Sequence, residues 1–280
     1  MTVERFFELF LEELQHREQL RSYYKFHEDP NRLSFRRAYF CQRLQYVYDR
    51  VLEHMEDREG VPDIWDCGCG YATTQIFLAL NGIPSRGTTL EFYFREIPER
   101  LDYWSAYGDM SLVTTGYEDV FETTRAEEAT DLIIVQDTLH HLEPLERSLS
   151  IFHRTLRPGG RLIAIEENGN NIIQRLKLYR QRGNRRVITY FDEGLGREVT
   201  MGNENIRSYA TWRASFIRAG FEIDERSMHY IRLFPPLFFL RQPSQDVVSR
   251  EQELWQRYGV LREYFFFGVN FVAYRPDREH

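Results

Sequence analysis

"IWDCGCGYATT" (residues 64–74) runs from a short apolar stretch through two glycines into a segment that reads as helical. Three readings compete for it: a metal or redox site, a glycine-rich cofactor loop, or a buried turn that happens to carry thiols. The metal reading is poor. Cys67 and Cys69 stand as C-x-C, the only other cysteine is Cys41, and no histidine lies close by in sequence. Alternating off a strand end, the two thiols are expected to pack as small hydrophobes. The loop reading is stronger. Ligands of open parallel sheets bind beyond the carboxyl ends of the strands. There Gly68 and Gly70 let the backbone turn and approach a ligand without a Cβ in the way. Asp66 closes the strand, with its carboxylate in reach of the loop. Thr73 stands where a dinucleotide fingerprint has its third glycine, so the loop alone is a weak signal. Glu91, at the end of the next expected strand, adds more, because a carboxylate there accepts both hydroxyls of a ribose. Loop and Glu91 together predict an adenosine-containing cofactor without saying which.

Outward from this loop the chain alternates. "TTQIFLALNG" (73–82) is expected as a helix closed by Asn81-Gly82. "SRGTTLE" (85–91), "MSLVTTG" (110–116) and "DLIIVQD" (131–137) are expected as strands, with a helix at 96–108. The 131–137 run is apolar nearly throughout, as a doubly covered strand should be. "LERSLSIFHRTLRPGG" (145–160) is expected as a helix ended by Pro-Gly-Gly, and "RLIAIEE" (161–167) as the fifth strand. This order predicts an α/β three-layer sandwich with a mostly parallel sheet. Residues 4–20 and about 32–56 show helical spacing, broken at Asp29-Pro30. Residues 1–58 are therefore expected as a helical N-terminal cap on a domain spanning 59–280. That domain carries insertions near 172–207, with a hairpin turning at Gly194-Leu195-Gly196, and near 234–264. "FFFGVNFVAY" is expected as the last strand.

With 42% hydrophobic residues the 280-residue chain can bury a substantial core. Its formal charge of −7 argues against nucleic acid as the main partner, since phosphate neutralisation needs a net basic face. Three cysteines suit a reducing compartment. The N-terminus does not read as a signal peptide and no apolar run is long enough to span a bilayer, so a soluble cytoplasmic protein is expected. The many aromatics are core material first, and an aromatic-lined pocket for a flat or apolar acceptor second. Arg180, Arg182, Arg185 and Arg186 read as a solvated face, or as a grip on an anionic substrate group.

Five further pieces, in order, resemble the class I S-adenosylmethionine-dependent methyltransferases, the broad group that includes quinone-biosynthesis and other small-molecule enzymes. "DCGCGYA" (66–72) is similar to that family's D-x-G-x-G loop and Glu91 to its ribose-binding acid. "GYED" (116–119) falls where the family keeps residues beside the adenine. "DLIIVQDTLHHLEP" (131–144) and "LRPGGRLIAIEE" (156–167) resemble its fourth strand with the following His-His-Leu, and its approach to strand five. The resemblance implies a seven-stranded sheet with the last strand antiparallel, and S-adenosylmethionine as cofactor. It implies that Asp66, Gly68 and Gly70 frame the methionine part, that Tyr117 and Glu118 flank the adenine, and that Gln136 lies near the sulfur.

The sulfonium carries the hard chemistry, so the protein mainly positions an acceptor, with a base where the acceptor is a hydroxyl. His140 and His141 are the catalytic candidates, and Glu166 and Glu167 the second choice. Tyr23, Tyr24, His27 and Tyr39 are candidates for closing over the cofactor, and residues 168–174 for offering amides to a polar substrate. Helix 4–20 is too acidic on its polar face for a membrane surface and reads as a lid or a homodimer contact. No metal ligands are expected. Adenine or cytosine N-methylation is disfavoured, because Gln136-Asp137-Thr138-Leu139 replaces the D/N-P-P-Y-type loop of such enzymes. A nicotinamide-dependent oxidoreductase and a non-catalytic S-adenosylmethionine-binding module are the alternatives to methyl transfer onto a small molecule.

Overall fold

Phe6, Phe10 and Leu14 form one stripe, but on a shorter helix than 4–20. The computed structural model describes residues 1–57, 60–90 and 92–277. In it α1 (Val3–His16) and α2 (Glu18–Tyr24) are separated by Arg17, which is extended. Arg17 leaves helical geometry where its guanidinium reaches the side chain and carbonyl of Glu99, at 2.9 and 2.7 Å. α3 (Leu33–Asp57) follows a turn in which the Asp29 side chain accepts from the Asn31 amide and Pro30 opens a 3₁₀ turn. The apolar stripe of α1 is spent inside the chain, on Phe77 and Trp104 among others, so that stripe is not a dimer contact.

The strand–helix alternation then runs β1 (Ile64–Cys67), α4 (Thr73–Ala79), β2 (Ser85–Thr89), α5 (Ile97–Trp104), β3 (Val113–Tyr117), β4 (Thr130–Gln136), α6 (Leu145–Thr155) and β5 (Leu156–Glu167). The helix expected to reach Pro-Gly-Gly stops at Thr155, and those residues are the start of β5. Pro158 disfavours helical geometry at Arg157 and offers no amide of its own. Gly159, at φ 71°, makes the turn and donates to the Arg275 carbonyl at 2.8 Å. After α7 (Ile172–Arg182) comes the hairpin β6 (Val187–Asp192) and β7 (Arg197–Gly202), then α8 (Tyr209–Arg218) and β8 (Glu222–Ile231). The 234–264 insertion is α9 (Pro236–Arg241), α10 (Ser244–Arg257) and α11 (Gly259–Tyr264), and β9 (Gly268–Tyr274) closes the sheet.

The strand order is β3-β2-β1-β4-β5-β9-β8. β1 to β5 are parallel and β9 is antiparallel to both neighbours. Side-chain alternation divides the central strands between two cores. Leu132, Ile134, Ile163 and Ile165 face Val47 and Val51 of α3, while Ile133, Val135, Leu162 and Ala164 face Leu149 and Phe152 of α6. Burial on both faces accounts for the unbroken apolar run of β4. Strand order reverses between β1 and β4, so the loops that follow those two strands flank a crevice. Every element that builds the site converges there.

Candidate active site

The crevice is a single cleft of about 700 Å³. One end is built on the loop after β1. Gly68, at φ 84°, turns back so that its amide and that of Cys69 donate to the Thr88 carbonyl at 2.8 and 3.0 Å. A Cβ on Gly68 would lie 2.2 Å from Thr138 Oγ1, so only glycine lets the loops after β1 and β4 abut. Cys67 and Cys69 are buried, and burial pushes both thiols up from their ordinary values. Cys69 packs against Gly87, consistent with thiols that act as small hydrophobes.

Asp66 is 1% exposed and lines the cleft, yet its Oδ1 has no hydrogen-bond partner. Burial pushes its carboxyl up to about 7. Across the cleft, Glu118 accepts from Arg86 through Oε2 at 2.8 Å, while its Oε1 is buried without a partner. Two orphaned carboxylate oxygens at one end of one cleft call for a ligand rich in donors and positive charge. Gln136 ends β4 and donates to Thr74 Oγ1 at 2.6 Å, also on the cleft wall. Glu91 lies outside the described residues. Tyr117 is not in the cleft lining. Its hydroxyl donates to the Leu90 carbonyl and to Asp192 Oδ2, at 3.0 and 2.8 Å, and its ring packs under Gly194 at the tip of the hairpin.

The other end follows β4. Asp137 adopts φ 48°, an uncommon conformation for this residue, and the sharp turn delivers His140 and His141 to the cleft. Burial works against the Asp137 carboxylate, but Arg43, and then His140, hold it below the usual carboxylate range. His140 is buried, with Nδ1 2.6 Å from Glu166 Oε2. Glu166 Oε1 accepts from the amides of Thr138 and Leu139, at 3.0 and 2.7 Å. Burial lowers the His140 imidazole, but Glu166 outweighs it, with help from Asp137 and Glu204, and holds it up at about 9. That pull favours the protonated ring at neutral pH, with Nδ1 committed to Glu166. His141 differs. Its Nδ1 lies 2.9 Å from the Gly202 carbonyl, which can only accept, so Nδ1 carries a proton and Nε2 is the nitrogen left to exchange one.

Other expected residues divide similarly. Tyr23, Tyr24 and Tyr39 line the cleft, whereas His27 is exposed and meets the Leu11 carbonyl. Glu166 is consumed by His140 and the loop amides. Glu167 lines the cleft, accepts from Gln174 and is pushed up by burial. Residues 168–174 do not offer amides to a substrate: Asn168 donates to carbonyls of the α11 region and Asn171 caps α7. Arg36, Arg43 and Arg232 also line the cleft, with Glu204 and the hairpin residues Tyr190, Thr200 and Met201 from the 172–207 insertion. Arg36 and Arg43 stand seven residues apart, on one face of α3.

The pairing of His140 with Glu166 gives a stability prediction. His140→Gln leaves a buried carboxylate without its cation and is expected to destabilise the fold by about 3–5 kcal/mol. Because the folded value lies above the ordinary 6.5, the stabilisation is complete below about 6.5 and lost as pH rises through about 9. Urea denaturation of both proteins across that range checks it, and a gap that does not narrow contradicts it.

Donor atoms of His140, His141 and Glu204 lie within 4.8 Å of one another, the grouping among the described residues that resembles a metal site. Both nitrogens of His140 face carboxylates, Nδ1 at 2.6 Å from Glu166 and Nε2 at 3.9 Å from Glu204, so the ring is engaged within the protein. Dialysis against a chelator is expected to leave turnover unchanged. Loss of turnover restored by zinc would make the triplet a metal centre instead.

Residues 65–164 match a family model described as a methyltransferase domain. No curated protein matches the sequence. Among solved structures, the chain resembles an S-adenosylmethionine-dependent methyltransferase from Methanosarcina mazei. That pair has TM-score 0.52 and 16% identity, over 80% of this chain and 97% of that one. A putative sarcosine dimethylglycine methyltransferase from Galdieria sulphuraria gives TM-score 0.55 and 13% identity over 86% and 88%. Phosphoethanolamine N-methyltransferase 2 from Haemonchus contortus, solved with phosphomonomethylethanolamine and S-adenosylhomocysteine, gives TM-score 0.54 and 16% identity over 84% and 52%. Sheet order and matched segment together give the chain the class I methyltransferase fold. The matched segment is a methyltransferase domain, so the chain is an enzyme, with S-adenosylmethionine as its cofactor.

Proposed function

We propose that this enzyme methylates a small-molecule acceptor at an oxygen or carbon centre, and that His141 takes the proton the acceptor loses. The observation that carries this reading is one continuous cleft, with the orphaned oxygens of Asp66 and Glu118 at one end and the free Nε2 of His141 at the other. Asp66, Gly68 and Gly70 hold the methionine part of the cofactor, Asp66 through the ammonium group. Glu91 and Glu118 take the ribose and adenine side, and Gln136 stands near the sulfur. Tyr117 acts indirectly, by tying the hairpin down beside Glu118.

When bound, the sulfonium supplies an electrophilic methyl group. The protein's part is alignment and proton removal. The Gly202 carbonyl fixes the His141 tautomer, and Arg43, through Asp137, fixes the turn that carries it. Protonated His140 adds positive charge beside the nascent oxyanion or carbanion. Tyr24, Phe35, Tyr39, Phe40 and Phe121 give the cleft an aromatic wall, which suits a flat or apolar acceptor over a polar one.

Transfer of a labelled methyl group to a panel of phenols, hydroquinones and activated carbon acids tests the reading, alongside calorimetry with S-adenosylhomocysteine. Tight binding with transfer to one acceptor class is expected. Binding without transfer to any of them would favour the non-catalytic alternative.

A further inference from the structure

The basic run left unused by the cleft lies on α7 and the loop into β6. From Asn168 to Phe191 the chain holds Arg175, Lys177, Arg180, Arg182, Arg185 and Arg186 and no acidic residue, within a protein of net charge −7. α7 buries only Gln174 and Leu178, one turn apart, so it rests on the body along a narrow stripe. Its outer side is not polar. Ile172, Ile173, Leu176 and Tyr179 are 52%, 59%, 52% and 60% exposed. At about 100° per residue, Ile172, Leu176 and Tyr179 fall within about 60° of one another, opposite the buried stripe, with basic residues on both margins. Val187 and Phe191 on β6 continue the exposed apolar surface. A solvated helix is most polar where it points away from the core. This one is apolar there and basic at its edges.

Beside the helix runs a groove of about 680 Å³, lined by Leu176, Tyr179, Arg175, Arg182, Arg186 and Arg207. The Nε of Arg182 is buried there without a partner. A notch of guanidinium groups edged by apolar side chains matches a phosphodiester whose attached chains continue into hydrocarbon.

We infer that this face docks reversibly on an anionic lipid bilayer. Ile172, Leu176 and Tyr179 enter the boundary between headgroups and acyl chains, and the arginines pair with lipid phosphates. Nucleic acid offers the phosphates but nothing that would cover the apolar face. α1 has the opposite character, its apolar stripe buried and its polar face acidic. The association is peripheral, since no helix among the described residues is long and apolar enough to cross a membrane.

The test is co-sedimentation of the full chain with vesicles of phosphatidylcholine alone and of phosphatidylcholine mixed with phosphatidylglycerol. Partition onto the mixed vesicles is expected, weakening with added salt, and little onto the neutral ones. Replacing Arg175, Arg180 and Arg186 together by Gln is expected to lower that partition by at least about tenfold. Leu176→Asn with Tyr179→Asn should also lower it by about tenfold. Both variants should keep wild-type affinity for S-adenosylhomocysteine, which verifies the fold. The proposal is overturned if the wild type ignores the mixed vesicles, or if both variants partition like the wild type. Tighter binding to duplex DNA or polyglutamate than to the mixed vesicles, in the same buffer, overturns it equally.

Discussion

His141→Ala is expected to lower turnover by about 10²–10⁴-fold at neutral pH while sparing S-adenosylhomocysteine affinity. The size of the loss follows from its position: Nδ1 is committed to the Gly202 carbonyl and the ring faces the cleft, so no reorientation is needed before Nε2 accepts a proton. His140 is a poorer substitute, because its Nδ1 is committed to Glu166 and that carboxylate favours its protonated form. Of the cleft-lining carboxylates nearby, Asp137 is paired with Arg43, Glu167 is engaged by Gln174, and Glu204 faces His140. The deficit should shrink for acceptors acidic enough to ionise unaided, since a base contributes less as its task becomes easier. Single-turnover rates on two acceptors of different acidity read this directly. Equal rates for wild type and variant at saturating acceptor would remove His141 from the chemistry.

S-adenosylhomocysteine affinity is expected to rise about tenfold between about pH 6 and about pH 8, and Asp66 is the cause. A carboxyl held at about 7 is mostly neutral at the lower pH and mostly ionised at the upper one. On the proposed reading its partner in the ligand is an ammonium group, and then only the ionised form binds well. Asp66→Asn should weaken binding by about 10–100-fold at the upper pH and flatten the dependence. The free protein responds in the opposite sense. Between the ordinary value of 3.8 and about 7 the fold keeps a proton that the unfolded chain has lost, so stability falls as pH rises through that window. Asn at this position removes that fall. Calorimetry and thermal unfolding across the range report both effects, and a flat affinity profile in the wild type would count against the ammonium contact.

The difference between the two adjacent histidines was not legible in the sequence. "HHLEP" gives two side chains at one turn, and nothing local says which is buried. Glu166 comes from the next strand, and Gly202 from a hairpin some sixty residues on, and these two partners decide the protonation of each ring. The sheet was far more legible, because β1, β4 and β5 are apolar on both faces and glycines or acids end them. The Pro-Gly-Gly stretch differs from expectation for a long-range reason as well. Proline and glycine stop a helix, but here the strand's hydrogen bonds had already claimed Leu156, which pairs with Thr130. Tyr117 was misread for a similar reason, since only the hairpin tip, brought over it by the fold, takes its hydroxyl away from the cleft. Long-range partners, not local pattern, are what the sequence withheld.

The N-terminal helices are bolted to the cofactor loop rather than laid over it. Glu13 of α1 and Arg100 of α5 are both fully buried and doubly bonded, at 2.8 and 2.7 Å. Arg100 also donates to the Tyr71 carbonyl and Thr73 Oγ1, and Trp104 to Glu13. Parting α1 from the loop would strand two charges in the interior, a cost of about 3–5 kcal/mol. The β6 side of the hairpin is held more lightly: β6 buries only Asp192, and its tip is tied by Tyr117 to Asp192 and by Arg197 to Asp119. Ligand exchange should therefore run past the hairpin, with the helical side acting as a fixed jamb against which that door swings.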